Sequence, residues 1–160
     1  MPTRQPHTQR VFLVVVDQTP ELKIALRFAC RRASHSGGRV ALLFVTEPAE
    51  GVEWMGVGEL MRAERRQEAE ARLQELSSLV QELSGQMPML HVREGDVRDE
   101  LLKLLEEEPS ISVLVLGAGT SAKGPGPLVS ALTGKYANKL RVPLTIVPGS
   151  LADDEIDAIT

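Results

Sequence analysis

Residues 11–33 read VFLVVVDQTPELKIALRFACRRA, and two hydrophobic periods meet inside that stretch. Val11 to Val16 is an unbroken apolar run, the pattern of a strand buried on both faces rather than one with a wet side. After Asp17, Thr19-Pro20 supplies a helix start: a hydroxyl for the N-cap, and a proline at the first helical position, where its missing N–H costs nothing. Leu22, Ala25, Leu26, Ala29 and Ala33 then recur at three- and four-residue spacing, so one stripe of the helix faces a core. Gly37-Gly38 ends it. A doubly buried strand followed directly by an amphipathic helix is the opening unit of a parallel sheet.

The same alternation runs through the rest of the chain. Val40 to Val45 (VALLFV) is a second buried strand, and Thr46 to Gly58 is a loop segment with Pro48, Gly51, Gly56 and Gly58. A long charged helix is expected from about Glu59 to Leu83, buried along Leu73, Leu76, Val80 and Leu83. Met89 to Val92 is a short third strand. Asp96 and Asp99 then suit the N-cap and first turn of a helix carrying Leu101, Leu102, Leu104 and Leu105, which ends before Pro109. Ile111 to Leu116 (ISVLVL) is the fourth strand. A Gly/Pro-rich loop from Gly117 to Pro127 leads into a helix over about Leu128 to Leu140, and Val142 to Val147 is the last strand. Five strands alternating with four helices predict an α/β, Rossmann-like fold: a five-stranded parallel sheet with right-handed crossovers and helices on both faces. Residues 1–9 read as a flexible N-terminal segment, 10–149 as the α/β domain, and 150–160 (SLADDEIDAIT) as an acidic, mobile tail.

Composition removes most other classes. The chain has 160 residues, 42% hydrophobic and 25% charged, which is one ordinary globular domain. Aromatics amount to 3%, too few for base-stacking platforms, and the net charge of −4 argues against a phosphate-backbone binder. No nucleic-acid partner is therefore expected. A single cysteine, Cys30, excludes a disulfide framework and a thiolate metal site. It falls beside the apolar stripe of the first helix and reads as a small buried thiol. His35 suits the negative end of a helix dipole, and His91 has no recognisable catalytic companion. No apolar run is long enough to span a membrane, and the N-terminus lacks the apolar centre of a signal peptide, so a cytoplasmic location is the expectation.

In an open parallel sheet, ligands bind beyond the carboxyl ends of the strands, where the strand order reverses. Asp17 ends the first strand, and it can either cap the next helix or accept from ribose hydroxyls. After the fourth strand comes Gly117-Ala118-Gly119-Thr120-Ser121-Ala122-Lys123-Gly124-Pro125-Gly126-Pro127. The dinucleotide fingerprint is rejected there, because it belongs to the first βα turn and must run straight into a helix. Walker A fails for want of a closing Gly-Lys-Ser/Thr. A loop of this composition is either a backbone cradle for phosphate or a plain surface loop. No triad, metal cluster or acid/base pair can be assigned.

The ordered set VFLVVVDQTPELKIALRFA, RVALLFVTEP, VREGDVRDELLKLL, VLVLGAG and GKYANKLRVPLTIVPG, from about Arg10 to Pro148, resembles the universal stress protein family. The resemblance implies an adenine-nucleotide α-hydrolase-like fold, frequent dimerisation, and ATP binding in some members. Nucleotide-binding members carry Gly-x2-Gly-x9-Gly-Ser/Thr after the fourth strand. Gly117 matches the first glycine by its place, while Gly124 and Gly134 keep the nine-residue gap. The first gap here is six residues, and Lys135 stands where the small hydroxyl residue belongs. Asp17 matches the family's acid near ribose, and Val45 the position whose backbone faces adenine.

The resemblance thus implies a stress-response regulatory protein binding an adenine nucleotide (ATP, ADP or AMP), with room for an accompanying Mg2+. The alternative is a dimeric interaction module of the same fold that binds no nucleotide; the most enzymatic reading is slow ATP hydrolysis or nucleotidyl transfer. In the family's strand order the last strand lies at a sheet edge. Its free backbone groups, with Val142, Leu144 and Ile146, are expected to pair with a second copy in a homodimer, unless the tail covers them. Pro143 fits a strand not paired along its whole length.

Overall fold

The computed structural model describes residues 9–48 and 57–160. Residues 1–8 of the expected flexible segment, and 49–56 of the loop after the second strand, lie outside the described residues. Chain order is β1 (Val11–Val16), α1 (Glu21–Ser36), β2 (Arg39–Thr46), α2 (Val57–Ser84), β3 (Met89–Glu94), α3 (Val97–Glu107), β4 (Ile111–Ala118), α4 (Pro127–Thr133), a 3-10 turn (Ala137–Lys139), β5 (Leu144–Pro148) and α5 (Asp153–Ile159). All five strands are parallel in the order β3-β2-β1-β4-β5. The expected fold class is therefore correct.

β1 is the middle strand, and every one of its residues is buried. Because successive side chains alternate across a strand, the run feeds two cores. Phe12, Val14 and Val16 pack with Leu22, Leu26, Leu76 and Val80 on the α1/α2 face. Val11, Leu13 and Val15 pack with Leu101, Leu104, Leu114 and Leu132 on the α3/α4 face. The chain leaves β1 to one side through β2 and β3 and returns to the other through β4 and β5. The order reverses between β1 and β4, and that gap fixes where the site lies.

Several boundaries differ from expectation. Thr19 does not cap α1: the cap position is Pro20, without a side-chain hydrogen bond, and the Thr19 hydroxyl donates to Asp17 Oδ1 at 2.7 Å instead. Asp96 caps α3 as expected, accepting from the Asp99 N–H at 3.1 Å. The helix expected over Leu128–Leu140 stops at Thr133, before Gly134, and only the 3-10 turn continues it. β5 begins at Leu144 rather than Val142. Pro143 lacks a donor and joins the sheet through its carbonyl alone, which accepts from the Leu114 N–H at 3.0 Å.

The acidic tail is corrected more substantially. Residues Asp153–Ile159 form α5, and Ile156 is completely buried. Arg27 of α1 grips Asp157 with two N–H donors, at 2.9 and 2.7 Å, and Arg31 adds a third at 3.2 Å. Asp153, Asp154 and Glu155 occupy the first turn, where negative charge complements the helix dipole. What read as a mobile tail is a docked helix beside α1.

Candidate functional site

A cavity of about 790 Å³ opens at the carboxyl ends of β1 and β4. Its wall is built from the turn after β1, the first turn of α1, the glycine loop after β4 and the first residues of α3. A second cavity, about 870 Å³, lies between the ends of β2 and β3 and the start of α2, lined by Glu47, Arg62, Arg66 and Arg93. It sits away from the strand-order reversal, so the first cavity is the candidate site.

Asp17 lies in the wall of the β1/β4 cavity and is exposed. Its Oδ1 accepts from both the Thr19 N–H at 2.9 Å and the Thr19 hydroxyl. This Asx turn fixes the carboxylate, and Oδ2 is left without a protein partner among the described residues. The local structural role and an accepting role toward a ligand are thus compatible.

Gly117 and Gly124 share that wall. A Cβ on Gly117 would stand 2.7 Å from both the Cβ and the carbonyl oxygen of Glu21, so only glycine lets β4 approach the first turn of α1 so closely. Gly124 has φ +99, a conformation open mainly to glycine. The other three residues singled out in the sequence lie outside this wall. Val45 pairs with Arg93 and packs in the α3/α4 core. Gly134 follows the end of α4. Lys135 is exposed, with its ammonium 5.7 Å from the centre of the Tyr136 ring.

Part of the glycine loop is closed on itself. The Gly119 N–H donates to the Pro125 carbonyl at 2.9 Å, and the Gly124 N–H to the Ser121 carbonyl at 3.1 Å. The Lys123 N–H donates to the Ser121 hydroxyl at 3.3 Å. Glu21 lies along the floor, close to Gly117, Gly119 and Gly149. These three N–H groups are therefore engaged within the loop rather than free for a phosphate.

Sequence reasoning missed Glu21 and Arg98. Both line the cavity. The Arg98 guanidinium stacks on the Tyr136 ring at 4.2 Å, and its buried Nε has no hydrogen-bond partner. The only local signal was a basic residue in the first turn of a helix, where the dipole disfavours it; the stack joins residues far apart in the chain. Cys30 is buried and burial pushes its thiol up to about 12, which removes it as a nucleophile at neutral pH. Burial likewise lowers the pKa of His91. Among the described residues, no group of three His, Cys, Asp or Glu side chains is placed to hold a metal, and no helix is long and apolar enough to cross a membrane.

A protein-family model described as "Universal stress protein family" matches residues 9–148. A comparison with curated proteins finds no match. Among solved structures, the chain is similar to a universal stress protein, UspA, from Lactobacillus plantarum (TM-score 0.67, 18% identity, 86% of this chain and 97% of that one). It is also similar to a universal stress protein solved with cAMP (TM-score 0.61, 19% identity, 88% and 98%). A third, from Archaeoglobus fulgidus, was solved with dAMP (TM-score 0.58, 18% identity, 88% and 99%). At these identities the structural likeness speaks for the fold. The family match stops short of α5.

Proposed function

Because this chain belongs to the universal stress protein family, we propose that it is a stress-response regulatory protein that binds an adenine nucleotide in the β1/β4 cavity. The observation that carries the reading is Asp17: an anchored carboxylate with one unpaired oxygen, at the carboxyl end of the central strand, in a cavity at the strand-order reversal. Such a carboxylate accepts from vicinal ribose hydroxyls, and the charge makes those hydrogen bonds stronger than neutral ones. The relatives solved with cAMP and dAMP support a mononucleotide as the ligand class. Gly117 and Gly124 bound the same cavity; Val45, Gly134 and Lys135 belong to its surroundings in this proposal. Catalysis has no support from an assignable base or metal site among the described residues. Any Mg2+ would arrive with the nucleotide.

Titration calorimetry with ATP, ADP and AMP, with and without magnesium, tests the proposal. Asp17→Ala should weaken adenosine ligands by about 1–2 kcal/mol, the scale of hydrogen bonds to a charged group. Unchanged affinity in a folded variant would remove Asp17 from the site.

The second reading, an interaction module without nucleotide, is favoured by the engaged N–H groups of the glycine loop and by Glu21 on its floor. It needs a partner surface. β5 is an edge strand, and Ile146 on it is 38% exposed. α5 packs on α1. We place the homodimer contact on this edge, through Leu144 and Ile146 with Val142 just before the strand, in a cytoplasmic protein.

A further inference from the structure

We propose that Arg98 is the phosphate-binding cation of the β1/β4 cavity and that the site takes a nucleoside monophosphate in preference to a triphosphate. The inference rests on the nucleotide reading above and narrows its ligand class. Three observations carry it.

Arg98 lines the cavity from the first turn of α3. No carboxylate pairs with it among the described residues, and its buried Nε lacks any acceptor. A guanidinium is always charged and its donors form a rigid fork matched to phosphate oxygens. Its Cζ lies 4.2 Å over the Tyr136 ring, a contact that holds the guanidinium in place before a ligand arrives. Lys139 and Lys135 stand 5.1 and 5.7 Å from the same ring, also without carboxylate partners among the described residues. Three cationic side chains thus gather around Tyr136, and of these Arg98 lines the cavity.

The glycine loop carries charge of both signs, since Lys123 on it lines the cavity as Glu21 does. The Gly119 and Gly124 N–H groups are bonded within the loop. Glu21 lies beneath it: a Cβ on Gly119 would be 3.6 Å from Glu21 Oε1, and one on Gly149 2.8 Å from Glu21 Cγ. A polyphosphate laid across this loop would meet the Glu21 carboxylate beside Lys123, with the Gly119 and Gly124 N–H groups already engaged. A single phosphate on the Arg98 side avoids that carboxylate. Ribose at Asp17 and one phosphate at Arg98 describe a 5′-monophosphate.

The test compares adenosine, AMP, ATP and inorganic phosphate by calorimetry on the full chain. AMP should bind about tenfold more tightly than adenosine, the scale of one charge-assisted contact, and more tightly than ATP. Arg98→Gln should bring AMP down to the affinity of adenosine while adenosine moves by less than about twofold. Arg98→Lys, which keeps the charge but loses the planar fork, should retain part of the preference. Glu21→Gln should raise ATP affinity selectively by about fivefold, the effect of one partly screened charge. A parent protein that prefers ATP, or an Arg98→Gln variant whose AMP-to-adenosine ratio is unchanged, overturns the assignment and leaves the nucleoside reading standing. Phosphate binding without adenosine or AMP binding, or no binding by any of the four, overturns both.

Discussion

Ile156 provides the sharpest test of how the chain closes its fold. It is the one buried residue of α5, completely shielded where that helix lies beside α1. Seven residues are far too few for a helix to persist in water alone, so α5 exists because it is docked. Ile156→Ala removes roughly 2.5 kcal/mol of transfer free energy at about 0.8 kcal/mol per carbon. The cavity left behind raises the expected loss to about 3 kcal/mol. With a urea slope of about 2 kcal/mol per molar, the unfolding midpoint should fall by about 1.5 M. If α5 detaches before the domain unfolds, the midpoint shift will be smaller, and limited proteolysis will cut near residues 149–155 in the variant but not in the parent. Urea denaturation followed by circular dichroism, with proteolysis under native conditions, measures both. A midpoint within about 0.2 M of the parent, together with equal cleavage of the two proteins, would refute the docked helix.

Three further expectations concern an ion pair, a buried thiol and the sheet edge. Hydrogen bonding from Arg27 holds the Asp157 carboxyl below its ordinary value of 3.8; its stabilisation is complete above that value and is lost as pH falls through the lowered one. Parent and Asp157→Asn should therefore differ in urea midpoint between about pH 5 and 8 and converge as pH falls through the lowered value; a difference that persists in acid would assign the effect to something other than this ion pair. Cys30, fully buried with its thiol pushed up to about 12, should resist a thiol reagent at pH 8 until denaturant is added, and rapid labelling of the native protein would contradict its burial. If β5 is the dimer edge, light scattering should give twice the chain mass for the parent and a single chain for Ile146→Lys, whereas a dimer indifferent to that charge would move the contact elsewhere.

Much of the fold could be read locally. The run Val11–Val16 announced a doubly buried strand, the spacing Leu22, Ala25, Leu26, Ala29 a helix on one core, and Asp96 a cap, because strand and helix periods and capping chemistry are properties of neighbouring residues. Alternation of those elements along the chain then implied a parallel sheet, and the sheet implied that ligands would be found at its carboxyl edge. Asp17 and Gly117 were legible as candidates for that reason: Asp17 follows β1, and Gly117 is the penultimate residue of β4.

What the linear order left open depended on residues distant in the chain meeting across packed surfaces. Arg98 gains its meaning from Tyr136, and Gly117 from the first turn of α1, where Glu21 lies against it. Lys135 kept the right spacing in the sequence, yet α4 stops at Thr133 and turns it outside the cavity wall. The last segment, SLADDEIDAIT, shows the division most clearly. Its polar composition and single deeply buried side chain carry no local helical stability, and read alone it is a tail. The buried seat for Ile156 and the fork of Arg27 on Asp157 supply the free energy that makes it a helix, and both exist only after α1 has packed onto the sheet.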